Sequence, residues 1–223
     1  MNKNHIVIAY YNENLNWIKN IDLKKFDVFI YNKSGKNLPI NINGINIETL
    51  ENIGRESHTY LFHIIKYYNS LPYLCIFLQG DPFPHSIPNL IDGLNNMNDI
   101  DMKFKLLTKD TLFLNLKEDV LNESGILNNK IWNNNHNLTI SSIPLTLFKL
   151  FENIKENKYF SSCFGPGALF VVNKELILKN DIIFYNQCIN ILLNSSNIIN
   201  PPEGHAFERL WYYIFNHNES KND

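Results

Sequence analysis

The stretch that most constrains this chain runs from Tyr73 to Leu78, an unbroken series of apolar residues that stops abruptly at Gln79-Gly80-Asp81-Pro82. A strand with one wet face alternates apolar and polar residues, whereas a strand covered on both faces reads as a continuous apolar run. The run therefore predicts a central strand in a mostly parallel sheet with helices on both sides. His5 to Tyr10 and Phe26 to Tyr31 read as two further strands, and Ile45 to Ile47 as a weaker one. Between them, Asn14 to Ile21 reads as a short helix. From Arg55 to Asn69 the residues Tyr60, Leu61, Ile64, Ile65 and Tyr68 recur at helical spacing, and Pro72 lies just beyond the end.

The second half is less regular. Prolines at positions 82, 84 and 88 predict a loop before a helix over Ser86–Asn95, and Lys103–Leu116 predicts one or two strands. The Asn-rich stretch to about Asn137 reads as irregular, and Pro144–Asn153 as a helix. Phe164-Gly165-Pro166-Gly167 then leads into a strand over Ala168–Val172, followed by helices over Ile182–Leu193 and Ala206–Phe215. With 223 residues, no repeat and no linker, the expectation is one α/β domain over residues 1–218 and a polar tail over 219–223.

Composition narrows the function classes. A net charge of -2 with scattered basic residues offers no footprint for a phosphate backbone, so no nucleic-acid partner is expected. The three cysteines, Cys75, Cys163 and Cys188, match neither zinc-knuckle nor disulfide spacing and read as buried thiols of a reducing compartment. Ile6–Tyr11 is too short for a signal-peptide core, and no run reaches the roughly 20 apolar residues of a membrane span. The expectation is a cytoplasmic chain, with any membrane association peripheral.

Asp81 is the strongest chemical candidate. Following a buried strand, its oxygens stand at the edge where ligands of open α/β sheets collect. Mg²⁺ and Mn²⁺ choose oxygen ligands, and such an ion neutralises the charge of a diphosphate leaving group. Gly80 permits close approach of a ligand to the backbone, and Gln79 both donates and accepts. Gln-Gly-Asp-Pro also has the composition of a turn, and the residues alone leave both readings open.

Tyr11-Asn12-Glu13 and Asn32-Lys33 follow the first two strands, so they are expected at the same sheet edge as Asp81. Gly54 and Arg55 open the first long helix, where free N–H groups, the helix dipole and a guanidinium favour an anion. A structural ion pair between Arg55 and Glu56 is the competing reading. Gly165 and Gly167 give a loop that a sugar or backbone can approach, and a turn alone also explains them. Glu203 and Glu208 bracket the start of the last helix as candidate bases for an acceptor hydroxyl, with Glu208 equally able to pair with Arg209. His58 and His63, five residues apart, do not share a helix face, which disfavours a two-histidine metal site on that helix. His205 and His217 read as surface or capping histidines.

Taken in order, Tyr11-Asn12-Glu13 with Trp17, Tyr31-Asn32-Lys33, Asn52-x-Gly54-Arg55-Glu56-x-x-Thr59-Tyr60-Leu61, Phe77-Leu78-Gln79-Gly80-Asp81 and Glu208-Arg209-Leu210-Trp211 resemble a family of fungal, viral and bacterial proteins catalogued as a domain of unknown function. That family in turn looks like a remote relative of glycosyltransferases with the GT-A fold, a Rossmann-like architecture, including small glycosyltransferase domains of large algal viruses. The resemblance implies a nucleotide-sugar donor, a glycan or other hydroxyl acceptor, and a divalent ion, Mn²⁺ or Mg²⁺. Carried onto this chain, it implies Asn12 and Glu13 near the base, with Tyr11, Lys33, Gly54, Arg55, Gln79 and Gly80 around the donor. Asp81 would hold the metal, Gly165 and Gly167 would lie on the acceptor side, Glu203 or Glu208 would be the base, and His217 a late metal ligand. Gln79 departs from the pattern, standing where the first acid of Asp-x-Asp would be. That substitution keeps open a nucleotide-sugar or carbohydrate binder without turnover, and a third alternative is a metal-dependent hydrolase using Asp81 with His85.

Overall fold

The computed structural model describes residues 3–38, 42–98, 101–117, 150 and 159–216. In chain order the strands are β1 (Asn4–Tyr10), β2 (Phe26–Asn32), β3 (Ile45–Thr49), β4 (Leu74–Gln79), β5 (Phe104–Leu106), β6 (Leu112–Lys117), β7 (Tyr159–Phe164) and β8 (Phe170–Asn173). The helices are α1 (Arg55–Tyr67), α2 (Leu90–Asn95), α3 (Lys174–Ile177), α4 (Ile182–Leu193) and α5 (Pro202–Asn216). Six strands form one sheet in the order β3-β2-β1-β4-β8-β5, and β6 and β7 make a separate antiparallel pair. From β3 through β4 all neighbours are parallel, while β8 runs antiparallel to both β4 and β5. This is a mixed α/β domain with a mainly parallel sheet, compatible with a Rossmann-like fold.

The period of two along each strand divides the core into two layers. On one face Val7, Phe29, Tyr31, Cys75, Phe77, Phe170 and Val172 pack against α1, α4 and α5. On the other, Ile6, Ile8, Val28, Ile30, Ile76, Leu78 and Val171 meet Trp17 and Ile18 of a 3₁₀ turn, and Leu90 and Leu94 of α2. β4 is thus apolar throughout because both its faces are covered, and Leu74 to Leu78 are fully buried. Each such large side chain contributes about 1.5–3 kcal/mol by leaving water.

Strand and helix positions agree with expectation over most of the first half, and the differences have local causes. The segment Asn14–Ile21 closes as a 3₁₀ turn over Asn16–Asn20. The helix expected over Ser86–Asn95 starts only at Leu90, since Pro88 precedes Asn89, whose φ of 56° is left-handed. Lys103–Leu116 divides into β5 and β6, which belong to different sheets. β7 and the one-turn α3 were not anticipated. α5 begins at Pro202, earlier than the apolar spacing indicates, because proline is tolerated in a helix's first turn. The helix expected over Pro144–Asn153 falls outside the described residues apart from Leu150, and the 219–223 tail and His217 lie outside them as well. Among the described residues no helix is long and apolar enough to cross a membrane.

His58 shows how burial within α1 links the fold to pH. The ring packs over the left-handed Gly54, where an added Cβ would stand 2.7 Å from His58 Cβ. Burial, reinforced by the Lys33 ammonium, pushes its imidazole down to about 4. The folded chain therefore prefers neutral His58. Its contribution is complete above the ordinary imidazole value near 6.5 and is lost as pH falls through about 4. Urea denaturation of the wild type and His58→Gln is expected to show the wild-type midpoint falling more steeply over that acidic window. Equal slopes in the two chains would refute the assignment.

Candidate functional site

Between β1 and β4 the strand order reverses direction. Chain that has moved outward through β2 and β3 returns to the other side of β1. In open α/β sheets the loops diverge at such a point and leave a crevice beyond the carboxyl ends. Here the flanking loops are Tyr11–Asn14 after β1 and Gly80–Ser86 after β4.

These loops are locked together by polar contacts. The Glu13 carboxylate turns back to accept from the backbone N–H groups of Tyr11 (2.8 Å) and Asn12 (2.9 Å). It also lies on Gly80, where a Cβ would meet Glu13 Oε2 at 2.4 Å. Trp17 Nε1 donates to the Gly80 carbonyl at 2.9 Å, and the Gly80 N–H donates to Ala9 O at 2.9 Å. Glycine at position 80 thus makes room for the chain's own carboxylate. Asp81 next to it is exposed, and one of its oxygens accepts from the Phe83 N–H at 3.3 Å.

Beyond β1, β2 and β3 lies an open cleft of about 530 Å³ lined by Tyr11, Lys33, Ser34, Gly35 and Thr49–Asn52. Tyr11 is 53% exposed along its wall. Lys33 is buried, and its ammonium donates to the carbonyls of Ile53 and Arg55, tying the end of β2 to the start of α1. Burial pushes the Lys33 ammonium down to about 8, opposed by Glu56. Its charge is thus spent on backbone dipoles.

Gly54 and Arg55 both have left-handed φ, 64° and 54°. For arginine this is an uncommon conformation, held here because its guanidinium is gripped on several sides. Arg55 Nη1 donates to Asn200 Oδ1 at 3.0 Å and lies 2.9 Å from His205 Nε2, while Nε stands 3.5 Å from Glu56 Oε2. The ion pair with Glu56 and the polar contacts toward the last helix therefore coexist. His205 is buried against Arg55 and is not a surface residue.

Glu56 leads a compact polar group that the linear spacing does not reveal. Its carboxyl is buried and pushed up from its ordinary value by burial, which Arg55 opposes and Glu208 reinforces. One helical turn on, the fully buried Tyr60 phenol is raised by burial and by Glu56 and Glu208. Arg209 is lowered by burial and held up by Glu208, whose Oε2 is 3.0 Å from Arg209 Nη1. Glu208 Oε1 accepts from the Gly167 N–H at 2.6 Å, and the His85 ring packs on the other side of Gly167. Glu56 Oε1, Tyr60 Oη and Glu203 Oε2 are buried without a hydrogen-bond partner, an arrangement that costs stability and clusters at working sites.

Residues 6–222 match the family described as "Protein of unknown function (DUF3431)". The chain is a member of the DUF3431 family. No curated protein and no solved structure matches it. For this family member, the structure brings Tyr11, Asn12, Glu13, Lys33, Gln79, Gly80 and Asp81 to one sheet edge, with Gly54 and Arg55 beside Lys33. Gly167, His85 and Glu208 meet one another, while Gly165 packs against Thr108. Glu56, Tyr60 and Arg209 were missed as site residues. The available signal was the placing of Glu56 and Tyr60 one turn apart on the same face of the helix.

Among the described residues, the one group of three His, Cys or carboxylate ligands within reach of a common ion is His5, His63 and Cys75, set at the opposite ends of β1 and β4. Asp81 belongs to no such group among the described residues. The Glu13–Gly80 contact generates a stability test. Gly80→Ala is expected to lower unfolding free energy by about 1–3 kcal/mol in urea denaturation. Adding Glu13→Ala should then recover part of the loss, whereas additive losses would show that the carboxylate does not need the glycine.

Proposed function

We propose that this chain is a glycosyltransferase that takes a nucleotide sugar at the carboxyl edge of its sheet and passes the sugar to an acceptor hydroxyl. The observation that carries the reading is the position of Asp81, an exposed carboxylate at the β1/β4 reversal on the same sheet edge as the cleft that Tyr11 and Thr49–Asn52 line at the ends of β1 to β3. In this reading the nucleoside occupies the cleft and the diphosphate extends toward Asp81, which holds Mn²⁺ or Mg²⁺. Such an ion offsets the charge that develops on the leaving diphosphate.

The remaining work belongs to the chain's own groups. The bond from the sugar's anomeric carbon to the phosphate oxygen breaks, the electron pair leaves with the nucleoside diphosphate, and a bond forms to the acceptor oxygen. The acceptor's proton passes to a carboxylate, for which Glu208 is best supported because Gly167 N–H and Arg209 fix its orientation. Glu203 is the second candidate. Arg55 contributes by holding the start of α1 against α5.

Gln79 and the lack of a second carboxylate in Asp-x-Asp register favour a binding module without transfer as the alternative. Titration calorimetry with UDP-, GDP- and ADP-sugars in Mn²⁺ is expected to find one donor class whose affinity falls at least about tenfold in Asp81→Ala. Absence of binding by every donor, or affinity untouched in a folded Asp81→Ala chain, would sink the proposal. Binding without transfer or donor hydrolysis would select the module.

A further inference from the structure

His5 and Cys75 stand directly opposite each other in the β1–β4 register, on the face that α1 covers. α1 lays His63 over the pair, with His63 Nε2 at 3.1 Å from His5 Nδ1. One ligand atom from each of the three residues lies within 4.8 Å of the other two. His63 and Cys75 are fully buried and His5 is 7% exposed, among the rings of Phe29, Tyr67 and Phe77. We propose that His5, His63 and Cys75 form a trigonal site for one monovalent copper ion, independent of the chemistry at the opposite sheet edge.

The geometry is close to what such an ion requires. With metal–nitrogen and metal–sulfur distances of about 2.0 and 2.3 Å, trigonal ligand atoms stand about 3.5–3.7 Å apart. The two nitrogens need to part slightly and the sulfur to close by about 1 Å at most, a modest side-chain adjustment. Tyr31 Oη lies 2.8 Å from His63 Nδ1. In the tautomer in which Tyr31 Oη accepts the Nδ1 proton, the His63 Nε2 lone pair faces His5, the outer-shell arrangement that orients a ligating imidazole.

Charge selects the ion. When Cu⁺ enters that tautomer, the Cys75 thiol proton leaves to bulk water and the His5 proton moves from Nδ1 to Nε2, so one positive charge enters as one departs and the net charge of the pocket is unchanged. Zn²⁺ entering the same ligands would leave one uncompensated positive charge in a dry, aromatic surrounding. Zinc also takes four ligands as a rule, and three protein groups sealed from water supply too few. Thiolate and imidazole together suit Cu(I). Without the ion, a His5–His63–Tyr31 hydrogen-bonded chain satisfies the same rings.

The decisive experiment leaves the site itself intact. In a Cys163→Ala, Cys188→Ala chain Cys75 is the one remaining thiol. The full chain, reduced and under anaerobic conditions, is titrated with Cu(I) against a colorimetric chelator. One ion per chain is expected, with a rise of several degrees in thermal midpoint for both this variant and the wild type. Cys75→Ala and His63→Gln, each checked for folding, should weaken binding at least about tenfold. No midpoint shift in the wild type, or binding abolished by removal of Cys163 and Cys188, overturns the site and leaves the trio as hydrogen-bonded packing.

Discussion

The contact on which the carboxyl edge of the sheet depends is the triple junction of Glu13, Trp17 and Gly80. Strands β1 and β4 are neighbours through their ladder, but the ladder ends where the loops begin. Beyond it, the Trp17 indole holds the Gly80 carbonyl, while the Glu13 carboxylate gathers two backbone N–H groups and rests on the glycine. Three local choices thus turn a crevice between diverging loops into a fixed shape. Asp81 is exposed, but its backbone is anchored by the residue before it.

A second layer of constraint comes from charge placed in the interior and at its margin. Lys33, Arg55, Glu56, Glu208 and Arg209 couple the end of β2, the start of α1 and the middle of α5. A buried charge pair of this kind stabilises little in net terms, because desolvation offsets much of the attraction, but leaving one member unpaired is costly. The arrangement therefore favours one relative placement of α1 and α5 over others. The left-handed Arg55 belongs to the same economy of position: its backbone strain is held by contacts with Asn200 and His205, far along the chain.

How much of this was legible in the sequence depended on whether the responsible physics was local. Tyr73–Leu78 announced β4 because two-sided burial writes itself as a continuous apolar run, and α1 because its apolar spacing and Pro72 agree. The convergence of Tyr11, Lys33 and Asp81 on one edge followed from strand ends alone. The internal commitments of Glu13 and Lys33 did not. A carboxylate folded back on its own loop, and an ammonium satisfied by carbonyls 20 and 22 residues further along the chain, have no signature in residue type. Glu56 was hidden for the opposite reason: its ion pair with Arg55 was foreseen, whereas its burial depends on α5 packing over it. β7 was missed because its partner β6 lies across a long intervening segment.

The direction of β8 has a consequence for how the edge comes into being. Because β8 runs antiparallel to β4, it is the segment before β8, Gly165–Gly167, that reaches the carboxyl edge of β4, and α5 then brings Glu208 to Gly167. The register joins Cys75 to Val172, so the pairing must close a very long loop. Such non-local pairing forms late in a folding reaction. Every residue that lines the cleft beside Tyr11 is synthesised within the first 52, while the polar group around Glu56 must wait for the last helix. A chain stalled before α5 would present half of an edge and a Glu56 carboxyl still open to water.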